Sequence, residues 1–317
     1  MVVAALDRAV RTVVERCLRV SDGETVLVVA DPGNADLGTA LMDAARAAGG
    51  DAVLTILPPN PGRGTEPPAP VAAAFAAADI FIAPCLPSLS HTSARKRASE
   101  GGARGATMPG VTADLLARLM SADFDAMSAR CHAVASLLSE ADEAHMTCPR
   151  GTDMRFDLRG RPAIADNGDL GTPGAFGNLP CGEGFASPAG GEGTIVASSL
   201  FQRLTVDDPV RLTVHGGRLV AAEGETGATF LAHLDVPGPL GRNLAELGIG
   251  TNDRATLTGN TLEDEKILGT AHIAFGASAG IGGTVTVPVH EDVVVLDPSL
   301  WIGATQVLDG GRYVLTT

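Results

Sequence analysis

Residues 25–30 read T-V-L-V-V-A, an apolar run rich in β-branched side chains that follows a predicted turn. Such a continuous run is typical of a strand buried on both faces, as in a parallel sheet. Residues 51–57 and 80–85 have the same character, and a helical pattern over about 35–48 ends at Gly49 and Gly50. Strands that alternate with helices predict a parallel sheet with helices on both faces.

The alternation extends to both sides of this segment. Residues 3–19 place apolar side chains at helical spacing, and further helical patterns occupy about 91–101 and 111–141. Residues 58–70 contain six prolines and are predicted to form a loop. Residues 1–146 are therefore predicted to form an N-terminal, doubly wound α/β domain.

The sequence changes character after about residue 147. Helical patterns become few and are confined mainly to about 226–234 and 241–247. Glycine becomes frequent, and short strand-like runs follow at 194–198, 210–214, 218–222, 284–289, 293–296 and 313–316. Residues 147–317 are therefore predicted to form a β-rich α+β domain that follows the α/β domain.

The composition restricts the class of protein. The 317 residues are 45% hydrophobic and 19% charged, which is typical of a folded globular chain. Only 3% are aromatic, so the core must consist mainly of aliphatic side chains. A net charge of −14 argues against a nucleic acid or an anionic membrane as the partner.

Three features together predict a cytoplasmic protein. The five cysteines are dispersed and form no C-x-x-C pair, which suits a reducing compartment. Asp7, Arg8 and Arg11 interrupt the apolar pattern at the N-terminus, which argues against a signal peptide. No run approaches the roughly 20 apolar residues that a membrane-spanning helix needs.

Two of the seven histidines, His272 and His290, lie within 20 residues of each other, and Asp292 follows His290 closely. His290 and Asp292 are two residues apart on a predicted strand, so their side chains project to the same face. A tight turn at 280–283 would bring His272 close to them. Two imidazoles and one carboxylate suit Zn, Co, Mn or non-haem Fe(II). The alternative is a structural core histidine and an aspartate that caps a turn.

Two glutamates lie in unusual surroundings. Glu183 lies among prolines and glycines, and Glu246 lies between Ala245 and Leu247. A carboxylate buried among apolar side chains is costly unless it is paired or binds a metal. The alternative is a solvated carboxylate on a helix. Joined to the two histidines and Asp292, both glutamates would complete a two-metal site.

Four further residues are candidates for catalytic or ligand-binding roles. Glu265 is a candidate general base, and Lys266 is a candidate cation for a developing oxyanion; the alternative is a surface ion pair. His91 and Arg95 lie in S-L-S-H-T-S-A-R (88–95), after the third predicted strand, where such domains place ligands. The alternative there is capping of a helix by Ser90 or Thr92, with a solvated Arg95.

Several longer motifs resemble the thermophilic aminopeptidase T family of metallopeptidases, which includes many leucyl aminopeptidases. The motifs keep their order along the chain and are N-L-P-C-G-E-G-F-A-S-P (178–188), A-E-L-G-I-G-T-N (245–252), L-E-D-E-K-I-L-G-T-A-H-I-A-F-G (262–276) and H-E-D (290–292). The match continues upstream in C-P-R-G-T-D-M (148–154) and T-M-P-G-V-T (107–112).

The resemblance implies a homodimeric hydrolase that uses two divalent ions, Zn, Co or Mn, and a metal-activated water. Such enzymes remove N-terminal residues from short peptides, and the expected substrate is a short peptide or a related small amide. The implied metal ligands are Glu183, Glu246, His272, His290 and Asp292. The tyrosine that typical family members carry after H-I-A-x-G is absent, since the stretch here reads A-S-A-G-I-G-G.

The same superfamily contains a ring-cleaving 2,5-dihydroxypyridine dioxygenase, which is the alternative function. Resemblance to that enzyme implies one Fe(II) held by His272, His290 and Asp292, with His91 as an acid/base group outside the ligand set. A third hypothesis is a metal-free relative that binds a small ligand.

Overall fold

The computed structural model describes residues 2–58, 65–86, 88–201 and 203–316, and positions 59–64 of the predicted loop at 58–70 lie outside them. No helix in these ranges is both long enough and apolar enough to cross a membrane. The helices are α1 (Val2–Arg11), α2 (Ala35–Ala47), α3 (Ala69–Ala77), α4 (Ser93–Glu100), α5 (Ala113–Leu119), α6 (Phe124–Glu140), α7 (Gly224–Asp235) and α8 (Thr261–Asp264).

The strands are numbered in chain order. The first ten are β1 (Thr25–Ala30), β2 (Asp51–Ile56), β3 (Ile80–Ala83), β4 (Arg104–Thr107), β5 (Glu143–Thr147), β6 (Asp153–Asp157), β7 (Ala163–Asp166), β8 (Phe176–Asn178), β9 (Glu183–Ala186) and β10 (Gly190–Ala197). The others are β11 (Ser199–Leu200), β12 (Arg203–Leu204), β13 (Val210–His215), β14 (Arg218–Ala222), β15 (Leu244–Gly250), β16 (Ala271–Gly276), β17 (His290–Val295), β18 (Ser299–Ile302), β19 (Thr305–Asp309) and β20 (Arg312–Tyr313).

One compact unit contains the predicted parallel sheet. It comprises Met1–Ala122 and Gly168–Cys181, and its strands are ordered β2-β1-β3-β4-β8 with parallel neighbours. Five of the six residues of β1 are buried, as its unbroken apolar run predicts. The chain order reverses beside β1, which makes the sheet doubly wound and confirms the predicted α/β class.

The other compact unit is built from two antiparallel sheets, which confirms the predicted β-rich class. It comprises Asp123–Asn167 and Gly182–Thr317. Eight strands are ordered β14-β13-β10-β6-β5-β18-β19-β20, and seven are ordered β12-β11-β17-β16-β15-β9-β7. Aliphatic side chains such as Leu212 and Ile273 fill most of its core, with Phe156 and Phe275 among the few aromatics.

The compact units divide the chain differently from the predicted boundary after residue 146. Helix α6 packs on β7 and β9, so the second unit begins at Asp123. Strand β8 pairs with β4, so residues 168–181 belong to the first unit. Both differences arise from pairings between segments that are distant in sequence.

Three local predictions need correction. The predicted helix at about 241–247 is wrong, because Leu244–Gly250 forms a strand that is buried throughout and paired on both sides. The predicted strand at 284–289 is also wrong, because regular pairing begins only at His290. The helical pattern at 111–141 is divided, because Asp123 caps a new helix by accepting from the amides of Asp125 and Ala126.

Candidate metal centre

Four adjacent strands of the seven-stranded sheet contribute the candidate metal ligands, which form one polar cluster. Glu183 begins β9, Glu246 lies in β15, and His272 lies in β16. His290 and Asp292 lie in β17. All of these strands are neighbours in the order β17-β16-β15-β9, so the cluster is built across the sheet rather than along one segment.

Strand register places these side chains on the same face. Asp292 pairs with Ala274, which also pairs with Glu246, and directly opposite residues project to the same side of a sheet. His272 lies two residues before Ala274 and shares its side, because side chains alternate along a strand. A register shift between Leu244 and Glu246 produces this pairing.

The cluster contains two groups of potential metal ligands that share Glu246. In each group the ligand atoms lie within 4.8 Å of one another: Glu183, Glu246 and His272 form one group, and Glu246, His290 and Asp292 form the other. His272 Nε2 is 3.1 Å from Glu183 Oε2 and 3.2 Å from Glu246 Oε1. His290 Nε2 is 3.3 Å from Glu246 Oε2 and 3.7 Å from Asp292 Oδ1. Each oxygen of Glu246 therefore faces a different histidine.

Two features fix the orientation of the histidines. His290 Nδ1 is 2.7 Å from the carbonyl oxygen of Ala277, which accepts a hydrogen bond from the ring and leaves Nε2 to face the carboxylates. His272 is fully buried and lies opposite Gly248 in the register. A Cβ atom at Gly248 would lie 2.0 Å from His272 Nε2, so only glycine leaves room for this ring.

A buried ion-pair network adjoins the ligand groups. Lys266 Nζ lies 2.5 Å from Glu183 Oε1, 2.9 Å from Glu265 Oε1 and 3.7 Å from Asp166 Oδ2. Lys266 is fully buried and Glu265 is 7% exposed, so the alternative of a surface ion pair is wrong. Sequence reasoning missed Asp166, whose position depends on its pairing with Glu183 across β7 and β9.

Burial and charge shift the pKa values of this cluster in opposite directions. Burial raises the pKa of Glu265 to about 8 and that of Asp166 to about 7, although Lys266 opposes both shifts. Burial alone would lower the pKa of His290, but Asp292 and Glu246 raise it to about 10. Burial would likewise raise the pKa of Glu246, yet His272 and His290 hold it below its ordinary value.

The donor set fits divalent cations. Five carboxyl groups lie in or beside the two ligand groups, where the only other titratable groups are two imidazoles and the Lys266 ammonium among the described residues. Uncompensated buried charge is strongly unfavourable. Glu183 Oε2 is buried and accepts no hydrogen bond from the described residues, although His272 Nε2 lies close to it. Nitrogen and carboxylate ligands of this kind are those that Zn, Mn, Co and Fe(II) use.

The other acids of the motif at 262–276 have a structural role. Asp264 is fully buried and accepts hydrogen bonds from the amides of Thr258 and Gly259 and from the hydroxyl of Ser199. Glu263 accepts from the amide and hydroxyl of Thr256. These contacts hold the preceding loop against α8, which is followed by Glu265 and Lys266.

His91 and Arg95 belong to the first compact unit, whereas both ligand groups belong to the second. His91 is exposed in the turn before α4, and its catalytic role stays a prediction. Thr92 caps α4 by accepting from the Arg95 amide, as the alternative proposed. Arg95 is not simply solvated, because its guanidinium lies 3.9 Å from the ring centre of Phe176.

The buried cluster is of the kind expected of a metal-dependent enzyme. More specifically, the chain belongs to the 2,5-dihydroxypyridine 5,6-dioxygenase (NicX) family, whose model matches residues 5–315. The predicted superfamily is thereby confirmed. No curated protein sequence gives a significant match.

Two solved structures share the fold. The 2,5-dihydroxypyridine dioxygenase from Pseudomonas putida KT2440 is 20% identical, with a TM-score of 0.81 over 98% of this chain and 97% of that one. Wild-type AmpT from Thermus thermophilus is also 20% identical, with a TM-score of 0.71 over 99% of this chain and 100% of that one. At this identity the likeness concerns the fold.

Proposed function

We propose that the protein is a metal-dependent dioxygenase that opens a dihydroxylated nitrogen-containing aromatic ring of the 2,5-dihydroxypyridine type. The observation that carries this proposal is the family match over residues 5–315. The presence of His272, His290 and Asp292 supports it, because two histidines and one carboxylate are the usual ligands of such iron centres. The proposal reverses the order of the two functions predicted from the sequence.

The three proposed iron ligands come from both ligand groups, His272 from one and His290 and Asp292 from the other. His272, His290 and Asp292 would hold Fe(II), which supplies open positions for oxygen and substrate when bound. The carbonyl of Ala277 holds the His290 ring so that Nε2 is the ligand atom. Glu265 lies at the edge of the cluster, paired to Lys266, where its carboxyl group would hold a proton beside the substrate.

A second candidate, a two-metal hydrolase, is favoured by the shared position of Glu246. A carboxylate that faces two histidines, each with a further acid, is the ligand arrangement of a site for two ions. Such a pair activates a water and polarises a carbonyl, which would suit cleavage of a short peptide or a small amide.

Metal content and oxygen use separate the candidates. Protein purified without chelator and loaded with Fe(II) should consume oxygen with 2,5-dihydroxypyridine and carry about one iron per chain. Two Zn, Co or Mn ions per chain, with hydrolysis of peptide amides and no oxygen uptake, would instead establish the hydrolase. A chain that binds no metal and keeps its melting temperature when metals are added would favour the metal-free binding relative.

The substitution Glu183→Gln tests the two-metal hydrolase against the mononuclear oxygenase. Glu183 belongs to one ligand group, whereas Glu246 belongs to both. The substitution should abolish a two-metal hydrolase and leave most of a mononuclear oxygenase's activity.

We also propose, from the family resemblance, a homodimer that acts on a small molecule. Light scattering of the purified protein would show a monomer if this is incorrect.

A further inference from the structure

The chain uses lysine sparingly. Among its 23 lysines and arginines, only Lys96 and Lys266 are lysines. Lys96 is exposed on α4, whereas Lys266 is fully buried. An ammonium is a compact point charge with three donors, while a guanidinium is larger, planar and rigid. A compact cation therefore occupies this fully buried position, in a chain whose other cations are arginines apart from Lys96.

Lys266 is surrounded by acids from separate parts of the fold. Glu183 lies on β9, Asp166 lies on β7, and Glu265 immediately precedes Lys266 in the chain. Their oxygens lie 2.5, 3.7 and 2.9 Å from the ammonium nitrogen, respectively. The ammonium thus donates to Glu183 and forms ion pairs with three carboxylates in all.

The contact with Glu183 distinguishes the two oxygens of that carboxylate. Oε1 accepts a hydrogen bond from Lys266, whereas Oε2 points toward His272 and accepts none from the described residues. Oε2 is therefore the oxygen of Glu183 that faces the ligand group with His272 and Glu246. A carboxylate held in this way offers one oxygen to a cation.

We propose that Lys266 is a positioning residue that restricts Glu183 to one ligand oxygen and whose charge limits the affinity of this group for divalent cations. The inference rests on the second candidate function, because Glu183 is a ligand only in the two-metal site, and it is independent of the reaction. It replaces the predicted role of Lys266 as a cation for a developing oxyanion, because three carboxylates already surround the ammonium.

The direction in which metal affinity changes when Lys266 is removed separates this role from a merely structural one. If Lys266 only supported packing, its loss would loosen the ligands and weaken metal binding. If Lys266 opposes the metal electrostatically and occupies a Glu183 oxygen, its loss should strengthen metal binding. The repulsion is substantial because charges inside a protein are poorly screened.

Mn(II) binding to the full chain tests the proposal. Lys266→Met should bind Mn(II) at least tenfold more tightly than the wild type, as measured by isothermal titration calorimetry. Lys96→Met removes the other lysine, which is exposed in the first compact unit, and should leave the affinity unchanged. Equal or weaker binding by Lys266→Met would overturn the proposal. A wild type that binds no Mn(II) would instead contradict the proposed metal site itself.

A measurement on the wild type keeps the proposal testable if Lys266→Met does not fold. Two lysines give at most two side-chain nitrogen signals in protein labelled with 15N-lysine, and Lys96→Met identifies the signal of Lys266. Addition of Zn(II) should shift the Lys266 signal while the group remains an ammonium, and it should leave the Lys96 signal in place. An unchanged Lys266 signal in zinc-loaded protein would show that this side chain does not sense the metal.

Discussion

Gly248 and His272 face each other across β15 and β16, and the imidazole occupies the space that a side chain on Gly248 would need. The glycine belongs to the motif A-E-L-G-I-G-T-N, where its neighbours are apolar and buried. This position requires glycine because any side chain here would collide with the His272 ring, and not because of an unusual backbone angle. The ligand position of His272 therefore depends on the absence of an atom on the neighbouring strand.

Gly248→Ala should displace the His272 ring and weaken metal binding at least tenfold. The methyl group would lie 2.0 Å from Nε2, and overpacking of this kind costs about 1–3 kcal/mol of folding free energy. Metal titration and urea unfolding measure the two effects. Gly190→Ala is the control, because no atom lies within 4 Å of a Cβ built there. Wild-type metal affinity in Gly248→Ala would refute the steric argument.

Asp264→Ala should lower the free energy of unfolding by about 2–4 kcal/mol, because it leaves buried and partly buried donors without this acceptor. The donors are the amides of Thr258 and Gly259 and the hydroxyl of Ser199. Urea unfolding measures the loss. Asp253→Ala removes a neighbouring exposed carboxylate and should change stability by less than about 0.5 kcal/mol. Similar values for the two variants would contradict the assigned role of Asp264.

The ion pair between Glu24 and Arg104 predicts a defined acid sensitivity. Hydrogen bonds from Arg104 are the main cause that lowers the pKa of Glu24 from 4.5 to about 2. Because the folded-state pKa is lowered, the pair stabilises the protein fully above about pH 4.5, and this contribution is lost as the pH falls toward 2.

Glu24→Gln should therefore be less stable than the wild type at pH 7 by about 1–3 kcal/mol, and the difference should shrink as the pH falls below 4. Urea unfolding at a series of pH values measures both curves. Asp114→Asn breaks an exposed pair with Arg118 and should have little effect at any pH. A constant difference between Glu24→Gln and wild type down to pH 2 would argue against linkage to this carboxylate.

Metal removal should lower the melting temperature, because a cation that binds only the folded chain stabilises it by about 2.7 kcal/mol at a hundredfold excess over Kd. Thermal unfolding with Mn(II) and with a chelator measures the shift. His290→Ala removes a ligand from one group and should reduce the response to metal. An equal response in this variant would place the bound ion elsewhere.

The sequence correctly predicted elements such as β1, whose side chains are buried on both faces of a sheet. The run at 25–30 became β1 because a strand buried on both faces needs no polar alternation. Glu246 shows the limit of the same argument, since a short apolar run fits a helix or a buried strand equally well. The structure places it in β15, with β9 and β16 on either side.

The candidate site was predictable only in part. The five metal-ligand candidates were found from histidine spacing, isolated acids and motif resemblance, and the structure brings all five together. Asp166 and Gly248 were missed, because each depends on which strands pair and in which register. The homodimer, the cytoplasmic location and the role of His91 stay predictions.

The distribution of the ligands over four strands has a consequence for how the site is assembled. Glu183, Glu246, His272 and Asp292 meet only after β9, β15, β16 and β17 have paired in register. Pairings between distant segments form slowly because the intervening chain must first be closed into loops. The complete ligand set is therefore available to a metal ion only late in folding.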